Sequence, residues 1–198
     1  MAMSPNAFTK DSLAPHVAAG RLVVGPHTYG PPILRYWGSP GHYVCRIGDY
    51  CSIADNVQLF LGGYHRPEWV SMYPFTAFAA WRESSPVRDH TVGRGDVVIG
   101  SDVWMGSHCT IMSGVSVGHG AVIAAMAVVT KDVPPYAVVA GNPARVVKMR
   151  FDDAVIAELL AIAWWDWPEE RIRDNLDLLL SGDMAAFIAR NRAQPHAL

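Results

Sequence analysis

Three kinds of side chain in this 198-residue chain could do chemistry: eight histidines, three cysteines and a small group of cations. An imidazole titrates near neutrality and can take or give a proton at ordinary pH. His65 has the most suggestive surroundings, because Gly62 and Gly63 precede it and let the backbone come close to a ligand. On those grounds alone a lone histidine is more often structural. His108 and His119 lie eleven residues apart. A histidine zinc site on a repetitive scaffold needs a close pair on one turn and a third ligand from another. No such pair occurs, so no metal is expected. Cys45, Cys51 and Cys109 are an odd number and read as buried small hydrophobes, not as disulfides or ligands. Only three lysines exist, and Lys131 and Lys148 fall close to Arg145 and Arg150. Hydroxyl and cationic groups such as Thr130, Lys131, Arg145 and Lys148 suit phosphate, against the plainer reading of solvated surface charge.

A period of six positions these groups. From Ile99 the chain reads IGSDVW, MGSHCT, IMSGVS, VGHGAV, IAAMAV, VTKDVP. An aliphatic residue opens each hexad (Ile99, Met105, Ile111, Val117, Ile123, Val129), and Val103, Cys109, Val115, Ala121, Ala127 and Val133 hold the fifth place. Glycine follows the aliphatic at Gly100, Gly106 and Gly118. Six fits neither the 3.6 of a helix nor the alternation of a flat strand. It predicts short strands that turn a corner at a fixed interval, which is the pattern of a mainly β parallel β-helix. Earlier hexads start at Val24, Ile47, Ile53 and Leu59. Trp104 ends a hexad, a place expected to project outward.

Between Tyr64 and Ile99 the register breaks for 34 residues rich in proline and aromatic side chains. A loop this long in a regular scaffold is usually functional or disordered, and its aromatic content predicts an ordered excursion. Residues 30–43 form a second irregular stretch. After the hexads comes an extended segment punctuated at Pro134-Pro135 and Gly141-Asn142-Pro143. Helices are predicted next. Asp152 or Asp153 caps one with Ile156, Leu159, Leu160 and Ala163 on one face, a second runs from Pro168 through Leu180, and a third covers 183–192. The helices are expected to cover the end of the coil, with Trp164, Trp165 and Trp167 packing against it. The expected divisions are an arm (1–22), a coil domain (23–150) with an insertion at 65–98, and a helical segment (151–198).

The runs LFLGGYHRPEWVSMYPF and DVWMGSHCTIMSGVSVGHGAVIAAMAVVTKDVPPYAVVAGNPARVVKMRF, with the WWDWP helix, resemble the xenobiotic branch of the hexapeptide acyltransferases. That branch includes the type B chloramphenicol and the streptogramin acetyltransferases. The resemblance covers roughly residues 23–180. It implies a left-handed β-helix, a homotrimer with sites between subunits, acetyl-CoA as donor, and direct acetyl transfer to a hydroxyl. Carried over by motif, His65 is the general base. Trp104 would stand near the reacting centre, where its N–H could position the acceptor or help the oxyanion; packing alone is the competing account. Coenzyme contacts are implied at Gly106, Ser107, Ala125, Thr130, Lys131, Asn142, Arg145 and Lys148. Tyr29, Tyr36, Trp37, Met72 and Tyr73 are candidate walls for a bulky acceptor such as chloramphenicol or a streptogramin.

The net charge of −2 argues against nucleic acid or an anionic membrane surface as the main partner. No signal segment or apolar stretch of membrane-spanning length is seen, which predicts a cytoplasmic protein. A sugar or polysaccharide acceptor on the same scaffold is the nearest alternative, kept open by Arg66, Glu68, Arg82 and Glu83. A non-catalytic or metal-dependent β-helix is the alternative of another class.

Overall fold

The computed structural model describes residues 8–37 and 43–192. The first seven residues of the expected arm, residues 38–42 of the second irregular stretch and residues 193–198 of the helical segment lie outside the described residues. Two short helices, α1 (Thr9–Ser12) and α2 (Ala14–Ala18), precede five strands: β1 (Leu22–Val24), β2 (Ile33–Tyr36), β3 (Cys45–Ile47), β4 (Ser52–Ile53) and β5 (Gln58–Leu61). The excursion follows, opened and closed by the antiparallel pair β6 (Tyr64–His65) and β7 (Thr91–Val92). Six more strands keep strict time: β8 (Val97–Ile99), β9 (Trp104–Met105), β10 (Thr110–Ile111), β11 (Ser116–Val117), β12 (Val122–Ile123) and β13 (Val128–Val129). The hairpin β14 (Ala137–Gly141) and β15 (Ala144–Met149) ends the series.

These strands form three parallel sheets through which the chain passes in rotation. Face I holds β1-β3-β8-β11, face II holds β4-β9-β12-β14 with β15 added antiparallel, and face III holds β2-β5-β10-β13. Partners such as Met105 and Ile123, or Ile111 and Val129, lie three hexads apart in sequence. Each turn of the coil therefore takes three hexads, one per face. The first and fifth residues of every hexad from Ile99 to Val133 point inward and are buried. All three cysteines belong to this interior.

Glycine in the second place of a hexad now has a steric reason. A Cβ on Gly100 would lie 2.6 Å from the backbone nitrogen of His119, and one on Gly106 would lie 2.6 Å from that of Ala125. Three non-glycine residues stacked at the corner between faces II and III, Asn56, His108 and Met126, take left-handed φ of 58°, 61° and 63°. Each such residue costs about 1–2 kcal/mol, offset by the burial of the strands on either side.

The structure corrects or extends the sequence reading in four places. Residues 33–36, expected to be irregular, form β2 and pair with β5. The extended segment after the hexads holds as read, with its turn at Asn142-Pro143, and its two halves pair as the β14–β15 hairpin. The helix expected through Leu180 breaks at Asn175 into α4 (Glu169–Asp174) and α5 (Leu176–Leu179). Asn175 is buried, donating to the Arg171 carbonyl one turn back and accepting from Asn191 of α6, and this second, tertiary bond overrides the local pattern.

The fourth place concerns the helices as a group. α3 (Asp153–Ile162), α4, α5 and α6 (Met184–Asn191) lie along the corner between faces I and II and do not close an end. Trp164 packs on Tyr50 with centroids 5.1 Å apart, Trp165 stacks on His119 at 4.6 Å, and Phe151 meets Tyr136 at 5.6 Å. Trp167 turns instead to Phe187 and Arg171. The arm closes the first coil: Thr9 bonds to Thr28 and Gly30, and Leu13 packs on the core. Asp152 caps α3 by accepting from the Val155 N–H. Among the described residues no helix is long and apolar enough to cross a membrane.

Candidate active site

His65 stands four residues beyond the last inward side chain of β5, Leu61, at the corner between faces III and I. Gly62 and Gly63 make the exit, with φ of +103° and +85°, conformations that L side chains rarely adopt. The chain then pairs Tyr64 with Val92 and His65 with Thr91. The imidazole is exposed, and its Nδ1–H donates to the Met72 carbonyl at 2.6 Å. A carbonyl can only accept, so this bond fixes the tautomer and leaves Nε2 as the proton-accepting nitrogen. The excursion is itself held together. Buried Thr76 donates to the Val87 carbonyl and accepts from His90 Nε2 at 2.8 Å. Tyr73 packs among Phe75, Phe78 and Trp81.

Beside the β6–β7 pair lies a cleft of about 340 Å³ whose lining includes Trp37, Tyr43, Arg66, Arg88, Asp89 and Thr91. A Cβ on Gly63 would fall 2.3 Å from the Trp37 ring, and one on Gly93 would fall 2.3 Å from the Tyr43 ring. Both glycines exist to let an aromatic ring lie on the backbone. Tyr43, Arg88, Asp89 and Gly93 were missed by the sequence reading. Only the aromatic content of the two irregular stretches hinted at them.

The other candidates gather on face II and its following edge. Tyr29 bridges to Ser52, which pairs in turn with Trp104. The row continues through Val122 and Val138 to Lys148. Trp104 is 57% exposed, so the row faces outward, and three strand spacings place Lys148 roughly 14 Å from it. Gly106, Ser107 and Ala125 stack at the II–III corner, where Gly106 N–H donates to Ile123 and Met126 N–H to Ser107. Asn142 and Arg145 sit at the β14–β15 turn, both exposed. Thr130 and exposed Lys131 lie one corner further on, after β13. Tyr36 goes elsewhere, packing against His16 and Arg21 of the arm.

One chain therefore does not bring these sets together. The excursion with His65 leaves from the edge opposite face II, which carries Trp104 and Lys148. No thiolate competes for the role of nucleophile. Burial pushes Cys51 up to about 11 and Cys109 up to about 12, and raises Cys45 strongly. Among the described residues no three His, Cys, Asp or Glu side chains converge as metal ligands. His108 lies within 3.4 Å of Asn56, and His119 accepts from the Ser101 N–H while it stacks on Trp165.

The family model described as bacterial transferase hexapeptide (six repeats) matches residues 96–131. A chloramphenicol acetyltransferase of Agrobacterium fabrum is 46% identical over 143 residues, 71% of this chain and 68% of that protein. The chain belongs to the xenobiotic acetyltransferase branch of the hexapeptide-repeat acyltransferases. A chloramphenicol acetyltransferase of Escherichia coli is 43% identical over 73% of this chain and 70% of the relative. A virginiamycin A acetyltransferase of Staphylococcus aureus is 42% identical over 70% and 64%. Membership of this branch agrees with the resemblance read from the GGYH and GNPA runs.

Proposed function

We propose that this protein is a cytoplasmic O-acetyltransferase that moves an acetyl group from acetyl-CoA to a hydroxyl of a small xenobiotic acceptor. The observation that carries the reading is His65, whose Nδ1–H is engaged by the Met72 carbonyl so that Nε2 is left to take a proton. An alcohol oxygen attacks a thioester well only if its proton leaves as it attacks, and Nε2 is the group to receive it. Transfer is direct through a ternary complex, since the buried thiols are held protonated. Residues 23–150 form the catalytic unit, a left-handed parallel β-helix with residues 65–98 inserted, and the helices of 151–198 brace it.

The site is completed between copies in a homotrimer. The reason is topological: His65 and Trp37 leave one edge of the prism while Tyr29 and Trp104 project from the opposite face. A neighbouring copy brings the two sets together. Along face II the coenzyme runs past Gly106, Ser107 and Ala125, whose small side chains leave room for the pantetheine arm. Asn142, Arg145 and Lys148, with Thr130 and Lys131, meet its phosphates. Trp37 after β2, Met72 and Tyr73 from the excursion, and Tyr29 from the neighbour form the acceptor's walls.

The curated relatives named for chloramphenicol and virginiamycin A favour a drug-like acceptor over a sugar. Turnover of acetyl-CoA with chloramphenicol, a streptogramin, galactose and maltose tests this. The expected result is release of coenzyme A with at least one of the two drugs. Turnover with the sugars alone would replace the acceptor, and no turnover or coenzyme binding at all would overturn the reading.

A further inference from the structure

The excursion that carries His65 is fastened by one buried hydroxyl. Thr76 is 5% exposed, although its neighbours Phe75 and Phe78 are exposed. Its Oγ1 donates to the Val87 carbonyl and lies 2.8 Å from His90 Nε2. A hydroxyl has one proton and a carbonyl can only accept, so the Val87 bond uses that proton. Nε2 of His90 is therefore the donor in the second bond, whatever the charge of its ring. Among the described residues these two bonds tie residues 67–81 to residues 87–92.

The two segments so tied are the two that meet His65. On one side, the Met72 carbonyl accepts from His65 Nδ1 at 2.6 Å. Met72 is coupled to Thr76 because the backbone between them is bonded to itself: the Tyr73 N–H donates to Ser71 Oγ, the Phe75 N–H to the Tyr73 carbonyl and the Ala77 N–H to the Pro74 carbonyl. On the other side, His90 precedes Thr91, which pairs with His65 across β6 and β7. The contacts close a ring from His65 through Met72, Thr76 and His90 back to His65. Arg66 adds a tie by donating to the Asp89 carbonyl at 3.0 Å, but that bond does not reach the Met72 turn.

We propose that Thr76 is a positioning residue for His65, clasping the excursion so that the Met72 carbonyl stays on Nδ1 and Nε2 stays free of its proton. The inference rests on His65 as the general base. Without the hydroxyl, the Val87 carbonyl and the His90 N–H lose their partner and the Met72 turn is released. The His65 ring then divides between tautomers and orientations, of which one set is productive. A misplacement of about 1 Å can cost about 100-fold in rate.

The test compares Thr76→Val, which keeps the shape and loses the hydroxyl, with Thr76→Ser, which keeps the hydroxyl. Turnover and the ¹⁵N signals of the His65 ring are read on each full-length protein at pH 8.5, where an ordinary imidazole is neutral; His65→Ala assigns the signals. Wild type should show Nδ1 protonated and Nε2 bare at His65, and the reverse at His90. Thr76→Val should lower kcat about 10- to 100-fold, leave KM for acetyl-CoA within twofold, and move both His65 nitrogens toward averaged values. Thr76→Ser should restore both readouts. His90→Leu cuts the clasp at its other end and should shift both in the same direction, which keeps the test available if Thr76→Val does not fold. A wild-type His65 already averaged between tautomers, unchanged kcat in the folded variants, or a fall in kcat with the His65 nitrogens unmoved would each overturn the proposal. Near-normal turnover by His65→Ala would instead remove the reading of the base, and the ring nitrogens would still report whether Thr76 positions His65.

Discussion

Replacing Gly106 by alanine sets a methyl group against the next turn of the coil. Built on the backbone, that Cβ lies 2.6 Å from the nitrogen of Ala125 and 3.0 Å from the Ala124 carbonyl carbon, whereas ordinary contact begins at 3.4 Å. The obstacle is backbone on both counts, so no side chain can swing away. The two coils would have to part by most of an ångström, against the Gly106 N–H bond to the Ile123 carbonyl at 2.8 Å. Gly106 does not have positive φ, so the cost is overpacking alone, about 1–3 kcal/mol. In a chain of this size 1 kcal/mol moves Tm by about 2–4 °C, which gives a fall of about 2–12 °C. Gly182 is the control, because a Cβ there meets nothing within 4 Å and its φ is also unexceptional. Gly182→Ala should leave Tm unchanged or raise it through an effect of about 0.4–1 kcal/mol. Thermal unfolding followed by circular dichroism compares the two. A Gly106→Ala midpoint at or above wild type, or an equal fall in Gly182→Ala, would refute the steric argument.

Three further outcomes are expected. His27 joins the coil to α4, with Nδ1 3.0 Å from Asp49 and Nε2 3.2 Å from Glu169; chiefly the Asp49 bond raises its pKa, with Glu169 adding and burial opposing. A raised folded value gives stability that is full below the ordinary value of about 6.5 and lost as pH rises through the folded one. His27→Gln should therefore lower the urea midpoint at pH 6, by about 1 kcal/mol or less for so exposed a pair, with the gap closing by pH 8.5. The opposite shift at His119, lowered mainly by burial, is common to both proteins and cancels; a gap equal at both pH values would remove His27 from the account. Lys148→Met should raise KM for acetyl-CoA by about ten- to a hundredfold with little change in kcat, as expected for loss of one charge-assisted contact of about 1.5–3 kcal/mol; an unchanged KM would show that Lys148 is idle. Asp152→Ala should cost about 1 kcal/mol of stability through loss of the cap on Val155, read as a drop in Tm.

The coil was legible in the sequence because one local rule repeats. An inward aliphatic and an inward small residue recur at fixed places, and Gly100 and Gly106 mark where the next coil passes too close for a Cβ. Asp152 was legible as a cap for the same local reason. Strand β2 was hidden because Pro31 and Pro32 mask its start and its partner β5 lies far away in sequence. The break at Asn175 and the seating of Trp165 on His119 depend on tertiary contacts that no periodicity reports. His65 was visible only through its glycine context. The Met72 carbonyl that fixes its tautomer is a backbone atom, and nothing in residue type could have pointed to it. Tyr43 and Gly93 form one ring-on-backbone contact across fifty residues, again outside the reach of local pattern.

The central claim is that His65 removes the acceptor's proton. The most direct measurement is kcat/KM for acetyl transfer by His65→Ala, on whichever acceptor the wild-type protein turns over, with secondary structure and oligomeric state checked on the same sample. The account predicts a loss of about 10²–10⁴ with the assembly intact. Near-normal turnover by the folded variant would contradict it.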